Sequence, residues 1–151
     1  MVETSSNLNI DKSISFIETE FTNDIIPNLQ EFIRMDNLSP AFDKEWATNG
    51  KSENAAEFLL KWALAQNIKG LKGEVMKESN LTPIVFIEIE GQISGKSAFL
   101  YGHYDKQPHF TGWAEGLGPL LPVIRGDLLY GRGGADDGYA LFTAITAVKA
   151  C

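Results

Sequence analysis

The sequence predicts an α/β layered domain, and three observations carry that prediction. Two stretches with helical apolar spacing come first, alternating strand-like segments follow, and a third helical stripe comes last. Hydrophobic residues make up 44% and aromatic ones 11% of 151 residues, enough to bury a core of one ordinary domain.

Residues 1–10 read as a solvated arm. From Asp11 an apolar stripe runs through Ile14, Ile17, Phe21, Ile25, Leu29, Phe32 and Ile33. Steps of three and four put these side chains on one helical face. Pro27 interrupts the stripe, so either the helix kinks there or a second helix begins near Asn23 with the proline in its first turn. Residues 37–50 contain Pro40 and end in Asn49-Gly50, the signature of a loop. Ser52 can cap the next helix, which buries Phe58, Leu59, Trp62 and Ala63 and stops near Gln66-Asn67.

The periodicity then changes. Residues 71–77 can form one strand, and Pro83 can open the next, because proline in the first strand position removes no interior ladder bond. Val85, Ile87 and Ile89 are β-branched and alternate with Phe86, Glu88 and Glu90, the clearest strand pattern in the chain. Residues 91–96 read as a turn. Residues 97–101 read as a short apolar strand running into His103. Residues 128–130 form another strand after a Gly126-Asp127 turn. Beyond Tyr139, Leu141, Phe142, Ile145 and Val148 form the third helical stripe. That stripe is still apolar at Val148, with no capping residue before Cys151, and the expectation is an N-terminal portion of a longer domain cut within a helix. On that expectation the stripe is poorly covered.

Composition narrows the function. Thirteen Lys and Arg stand against 20 Asp and Glu, for a formal charge of −7 and no basic cluster, which argues against a nucleic-acid partner. No apolar run approaches the length of a membrane span. The start of the chain has neither the basic beginning nor the apolar core of a secretory signal. The single cysteine, Cys151, allows no internal disulfide, reads as a small buried helix residue, and fits a reducing, cytoplasmic setting.

Two segments concentrate reactive side chains. In Tyr101-Gly102-His103-Tyr104-Asp105, residues two apart on a strand face one side, so His103 and Asp105 can lie together at the mouth of a sheet. In Gly131-Arg132-Gly133-Gly134-Ala135-Asp136-Asp137-Gly138, glycines permit tight turns between a strand and a helix. Imidazole nitrogen and carboxylate oxygen together suit Zn²⁺ and related divalent ions. A carboxylate beside a ligand histidine fixes its orientation, and a second carboxylate can bridge two cations. The glycine-rich stretch is not a phosphate loop: it lacks the Gly-Lys-Ser/Thr ending, and two carboxylates would repel the ligand.

Residues 102–108, Trp113, the prolines at 119 and 122, and residues 129–138 resemble, in order and spacing, the N-terminal part of the co-catalytic zinc exopeptidases. That family includes carnosinase, cytosolic nonspecific dipeptidase, aminoacylase and succinyl-diaminopimelate desuccinylase. The specific stretch spans about residues 99–139 and is most similar to the dipeptidase branch. The resemblance implies a layered catalytic domain with a central mixed sheet, of which residues 11–151 are the N-terminal portion, without the lid or dimerisation domain. It implies that His103 binds one metal, that Asp136 bridges two, that Asp105 orients His103, and that a cis peptide joins Asp136 to Asp137. Where many members have Lys-Gly after the paired aspartates, this chain has Gly138-Tyr139.

The implied activity is hydrolysis of a peptide or amide bond in a small peptide or N-acyl amino acid by a water activated on two zinc ions, with Mn²⁺ or Co²⁺ as substitutes and a homodimer as a possible intact form. Neither glutamate nor histidine follows Asp136. The general base and the remaining ligands that the family uses are therefore missing, and the isolated chain is expected to be inactive. The competing reading is a noncatalytic module that binds a partner through an open sheet edge and the last helix.

Overall fold

The computed structural model describes residues 9–91 and 95–151. Most of the expected arm and three residues of the turn expected over residues 91–96 lie outside them. The described chain combines four α-helices with two antiparallel hairpins, an α/β arrangement.

Helix α1 (Ile10–Glu20) begins at Asn9, whose side chain accepts from the Lys12 N–H at 3.0 Å. It passes into a π-helical turn (Phe21–Ile25) and then into α2 (Ile26–Arg34). Pro27 therefore sits in the first turn of a helix, as one of the two expected arrangements requires. We attribute the widened turn to this proline, whose ring would crowd the carbonyl four residues back in a regular helix. The extra residue in the turn offsets the phase of the apolar stripe. Ile25, Leu29, Phe32 and Ile33 enter the core, whereas Ile10, Ile14, Ile17 and Phe21 remain exposed. The single buried stripe expected from periodicity is thus two faces, only one of them covered.

Helix α3 (Lys51–Leu64) starts one residue before Ser52, which is buried inside its first turn rather than capping it. The Lys51 N–H is taken by the Asn49 side chain at 3.0 Å, and Gly50 supplies the left-handed entry with φ of 71°. Strands β1 (Leu71–Met76) and β2 (Ile84–Ile89) pair antiparallel, with Leu71 opposite Ile89. Their half-buried residues, including Val85, Ile87 and Ile89, pack onto the core. Strands β3 (Val123–Arg125) and β4 (Leu128–Tyr130) form a second hairpin.

The expected strand over residues 97–101 is not formed, nor is a central mixed sheet. Among the described residues each hairpin is paired only within itself. A strand needs a neighbour for its N–H and C=O groups, and Phe99 and Tyr101 are 88% and 81% exposed. Ladder-like pairing first occurs beyond it, in an isolated parallel bridge between Leu38 and Lys106.

Helix α4 (Ala140–Ala150) closes the core against α2 and α3. The Phe142 ring meets Trp62 edge-on at 4.6 Å. Phe142 and Ile145 are buried, which corrects the expectation of a poorly covered third stripe; Cys151, expected to be buried, is exposed. The Lys149 ammonium pairs with Glu20 of α1 and donates to Gln66 Oε1 at 2.8 Å. No helix among the described residues is long and apolar enough to cross a membrane.

Lys106 is the most consequential buried side chain, at 1% exposure. Its ammonium donates to the carbonyls of Phe32, Ile33 and Met35 at 2.8, 3.1 and 2.6 Å. The Phe32 carbonyl also accepts from the Met35 N–H at 3.1 Å, whereas the end of α2 gives the Ile33 and Met35 carbonyls no such partner, and the negative end of the helix favours a cation there. The same nitrogen lies 4.6 Å from the centre of the Phe32 ring. Burial nevertheless pushes the amine down to about 8, partly opposed by Asp36.

Two outcomes follow. Lys106→Met leaves the Ile33 and Met35 carbonyls without a donor and lowers stability by about 1–3 kcal/mol, read by urea unfolding. Between about pH 8 and the ordinary lysine range near 10.5, the unfolded chain binds more protons at this position than the folded one, so its contribution to stability rises with pH. The stability difference between the native chain and Lys106→Met therefore widens from pH 7.5 to pH 10.

Candidate metal site

His103, Asp105 and Asp136 meet at one surface although they come from different segments. The chain from Gly102 to Lys106 is held from both sides. The Asn37 side chain donates to the Tyr104 carbonyl at 2.6 Å. The Lys106 N–H donates to the Asn37 carbonyl, and the Ser39 N–H to the Lys106 carbonyl, each at 2.9 Å. The Tyr104 hydroxyl donates to the Pro83 carbonyl at 2.6 Å, and burial pushes that phenol well above its ordinary range.

Asp136 is presented by the tight turn Gly134–Gly138, closed by a 2.9 Å bond from the Gly138 N–H to the Gly133 carbonyl. The peptide between Asp136 and Asp137 is cis. Glycine is required here for close approach as much as for turning. A Cβ on Gly133, whose φ is 83°, would lie 2.7–2.9 Å from the Lys106 methylenes. A Cβ on Gly138 would overlap the Phe32 ring. One lysine stem thus spaces the Asp136 turn from the end of α2 and also belongs to the segment that carries His103.

The His103 ring has two distinct edges. Nδ1 lies 3.1 Å from both the carboxylate Oδ1 and the backbone oxygen of Asp105. Nε2 lies 3.2 Å from Asp136 Oδ1. The Asp137 carboxylate accepts the His103 N–H at 3.3 Å, tying the two segments together a second time. Since both partners of Nδ1 are acceptors, Nδ1 must carry a proton. In the neutral ring Nε2 would then turn a lone pair toward the Asp136 carboxylate, which is repulsive. The arrangement demands a positive charge, either a second proton on the ring or a cation between Nε2 and Oδ1. Burial opposes the ring's charge, but the Asp105 backbone oxygen and the carboxylates of Asp105, Asp136 and Asp137 outweigh it and raise the His103 pKa.

Both groups stay accessible, with side-chain exposures of 36% for His103 and 59% for Asp136. Two ligands about 2.0–2.1 Å from one tetrahedral zinc lie about 3.3 Å apart, so the observed separation fits the edge of such a site. Among the described residues, however, no group of three or more His, Cys, Asp or Glu is arranged to hold a metal ion. The residues present fit two positions of a coordination shell.

Sequence reasoning missed Lys106 and Asn37, the two residues that place the His103 segment. A lone lysine inside a motif carries no periodic signal of burial. His109, the other histidine of the chain, stands apart from the site, with Nε2 2.9 Å from Asp36 Oδ1.

The packing of the glycines predicts a contrast. A Cβ on Gly102 would overlap that of Ala140, at the start of α4. Gly102→Ala therefore loses about 1–3 kcal/mol of stability through overpacking. Gly91→Ala meets nothing within 4 Å and changes stability by less than about 0.5 kcal/mol. Thermal melts of the two variants check both values.

No protein-family model matches the chain, and no curated protein matches it. The chemistry of the site rests on its own geometry.

Proposed function

We propose that this chain carries part of the metal-binding face of a co-catalytic zinc exopeptidase of the dipeptidase type. The observation that carries the reading is the outward edge of His103, where Nε2 and Asp136 Oδ1 face each other at 3.2 Å while Asp105 holds Nδ1. That geometry calls for a cation and leaves the correct donor atom free to bind it. The resemblance of residues 99–139 to those enzymes supports the same reading, with its layered domain as the wider fold.

His103 Nε2 and an Asp136 oxygen would hold the ion, and Asp136 has a second oxygen for a neighbouring one. Asp105 fixes the imidazole tautomer and keeps Nε2 a donor to metal. Asp137, through the His103 N–H, holds the two segments in register. When bound, divalent ions supply polarisation of the scissile carbonyl and a water of lowered pKa. The substrate class is a small peptide or N-acyl amino acid. Two ions need more donors than these, so the reading requires further ligands and a general base besides the residues gathered at this surface. A second reading, a noncatalytic binding module, is favoured by the uncovered Ile10, Ile14, Ile17 and Phe21 face of α1 and the π turn.

The test uses the purified 151-residue chain with Zn²⁺, Co²⁺ or Mn²⁺. Calorimetric titration should detect an ion whose affinity falls at least about tenfold in His103→Ala or Asp136→Ala, and about 10–100-fold in Asp105→Asn. No turnover of a dipeptide panel is expected, because loss of general acid–base catalysis alone costs about 10²–10⁴ in rate. Metal binding indifferent to all three substitutions would refute the site. Enzyme-like turnover abolished by Asp136→Ala would show the donor set to be complete as it stands.

A further inference from the structure

Helix α1 is fastened along one face and bare along another. Ser13, Phe16 and Glu20, at steps of three and four, are its half-buried residues, and every other residue of α1 is exposed. The Ser13 hydroxyl donates to the Ala150 carbonyl of α4 at 3.2 Å. The Lys149 ammonium of α4 pairs with Glu20 and lies 5.6 Å from the centre of the Phe16 ring.

Beside that face runs an apolar seam. Ile10, Ile14, Ile17 and Phe21 follow one another at steps of four, three and four, and are 66, 50, 41 and 47% exposed. This spacing is the 3.5-residue repeat by which one helix packs along another, and it extends over about 16 Å of helix. Within the π turn the chain changes face, and Ile25, the next apolar residue, enters the core. The two borders of the seam differ. On the α4 side Glu20 is matched by Lys149. On the outer side stand Asp11 and Glu18, both exposed and, among the described residues, in no ion pair. Lys12, the only cation in α1, lies on the opposite side of the helix from the seam.

We propose that this seam docks an amphipathic helix of a partner protein whose apolar face is flanked by Lys or Arg. The heptad spacing calls for a helix, and the acidic outer border selects the charge of its flank. A second copy approaching over that border sets Asp11 and Glu18 against the same two carboxylates, and a chain charge of −7 opposes self-association further. An anionic lipid surface is disfavoured for the same reason, because helices that lie on such membranes carry Lys and Arg on their polar face. The proposal supplies a partner for the noncatalytic reading and does not depend on the metal site.

Fluorescence anisotropy with the full chain tests this. The probe is a labelled peptide of three heptads, with Leu at the two seam positions of each heptad and Lys beside them; its twin has Glu at the Lys positions. The Lys peptide should bind, and the Glu peptide should bind at least about tenfold more weakly. Ile14→Gln combined with Ile17→Gln should weaken the Lys peptide about tenfold or more, with a native circular dichroism spectrum, since both side chains are already exposed. Asp11→Lys combined with Glu18→Lys keeps the seam and should invert the preference between the peptides. The same charge change at the exposed Glu88 and Glu90 of β2 and its end should preserve the preference. Equal binding of the two peptides, binding indifferent to the seam substitutions, or inversion by the Glu88 and Glu90 reversals would overturn the proposal. So would a dimer in sedimentation, or attachment to phosphatidylserine vesicles, that the Ile14 and Ile17 substitutions abolish. Zn²⁺ affinity should be the same in the native chain and the Ile14→Gln, Ile17→Gln variant, which separates failure here from failure of the metal reading.

Discussion

The ammonium of Lys106, set into the carboxyl end of α2, is the interaction on which the rest of the architecture depends. A helix end buried without donors would be costly, and three carbonyls there share one cation. The chain that supplies it is the chain that supplies His103 and Asp105. Its methylenes set the distance at which Gly133 can pass, and Gly133 begins the turn that presents Asp136. A single side chain therefore terminates a helix, anchors one donor segment and spaces the other. The separation of His103 from Asp136 follows from how closely a glycine backbone can approach a lysine stem.

Much of this was legible in the residues. The α3 stripe, the alternation from Val85 to Ile89 and the Gly126-Asp127 turn are local patterns, and each became the element that its period implies. The meeting of His103 with Asp105 was legible because it is two residues long, although the strand invoked for it is absent. The failures share a cause, which is that they depend on partners distant in sequence. Periodicity cannot register a π turn, so the stripe from Ile14 to Ile33 read as continuous when the face changes at Phe21–Ile25. The apolar run from Ser97 to Tyr101 has β character, but a strand is a relation between two segments, and no second segment lies beside it among the described residues. Ser52 looked like a cap by type, but the preceding Asn49 and Gly50 already provide the entry.

Electrostatics divides the two histidines into different roles. His103 has carboxylates on both edges and, among the described residues, no ammonium bonded to them, so positive charge is drawn to its exposed rim. His109 meets a carboxylate that the Lys51 ammonium already holds. The same two residue types thus give a cation-seeking edge in one place and a carboxylate shared with a lysine in the other. What differs is whether a lysine has reached the carboxylate first.

The contact between α1 and α4 bears on how the chain reaches this structure. The Ser13 hydroxyl donates to the Ala150 carbonyl across 137 positions. The edge-on pair of Trp62 and Phe142 closes the core across most of the chain as well. Interactions of such separation carry a large loop-closure cost before any of them is repaid. During synthesis on the ribosome, α2 and α3 must wait with Phe32, Leu59 and Trp62 uncovered until the last helix emerges. Over that interval the nascent polypeptide presents the sticky surface that molecular chaperones bind.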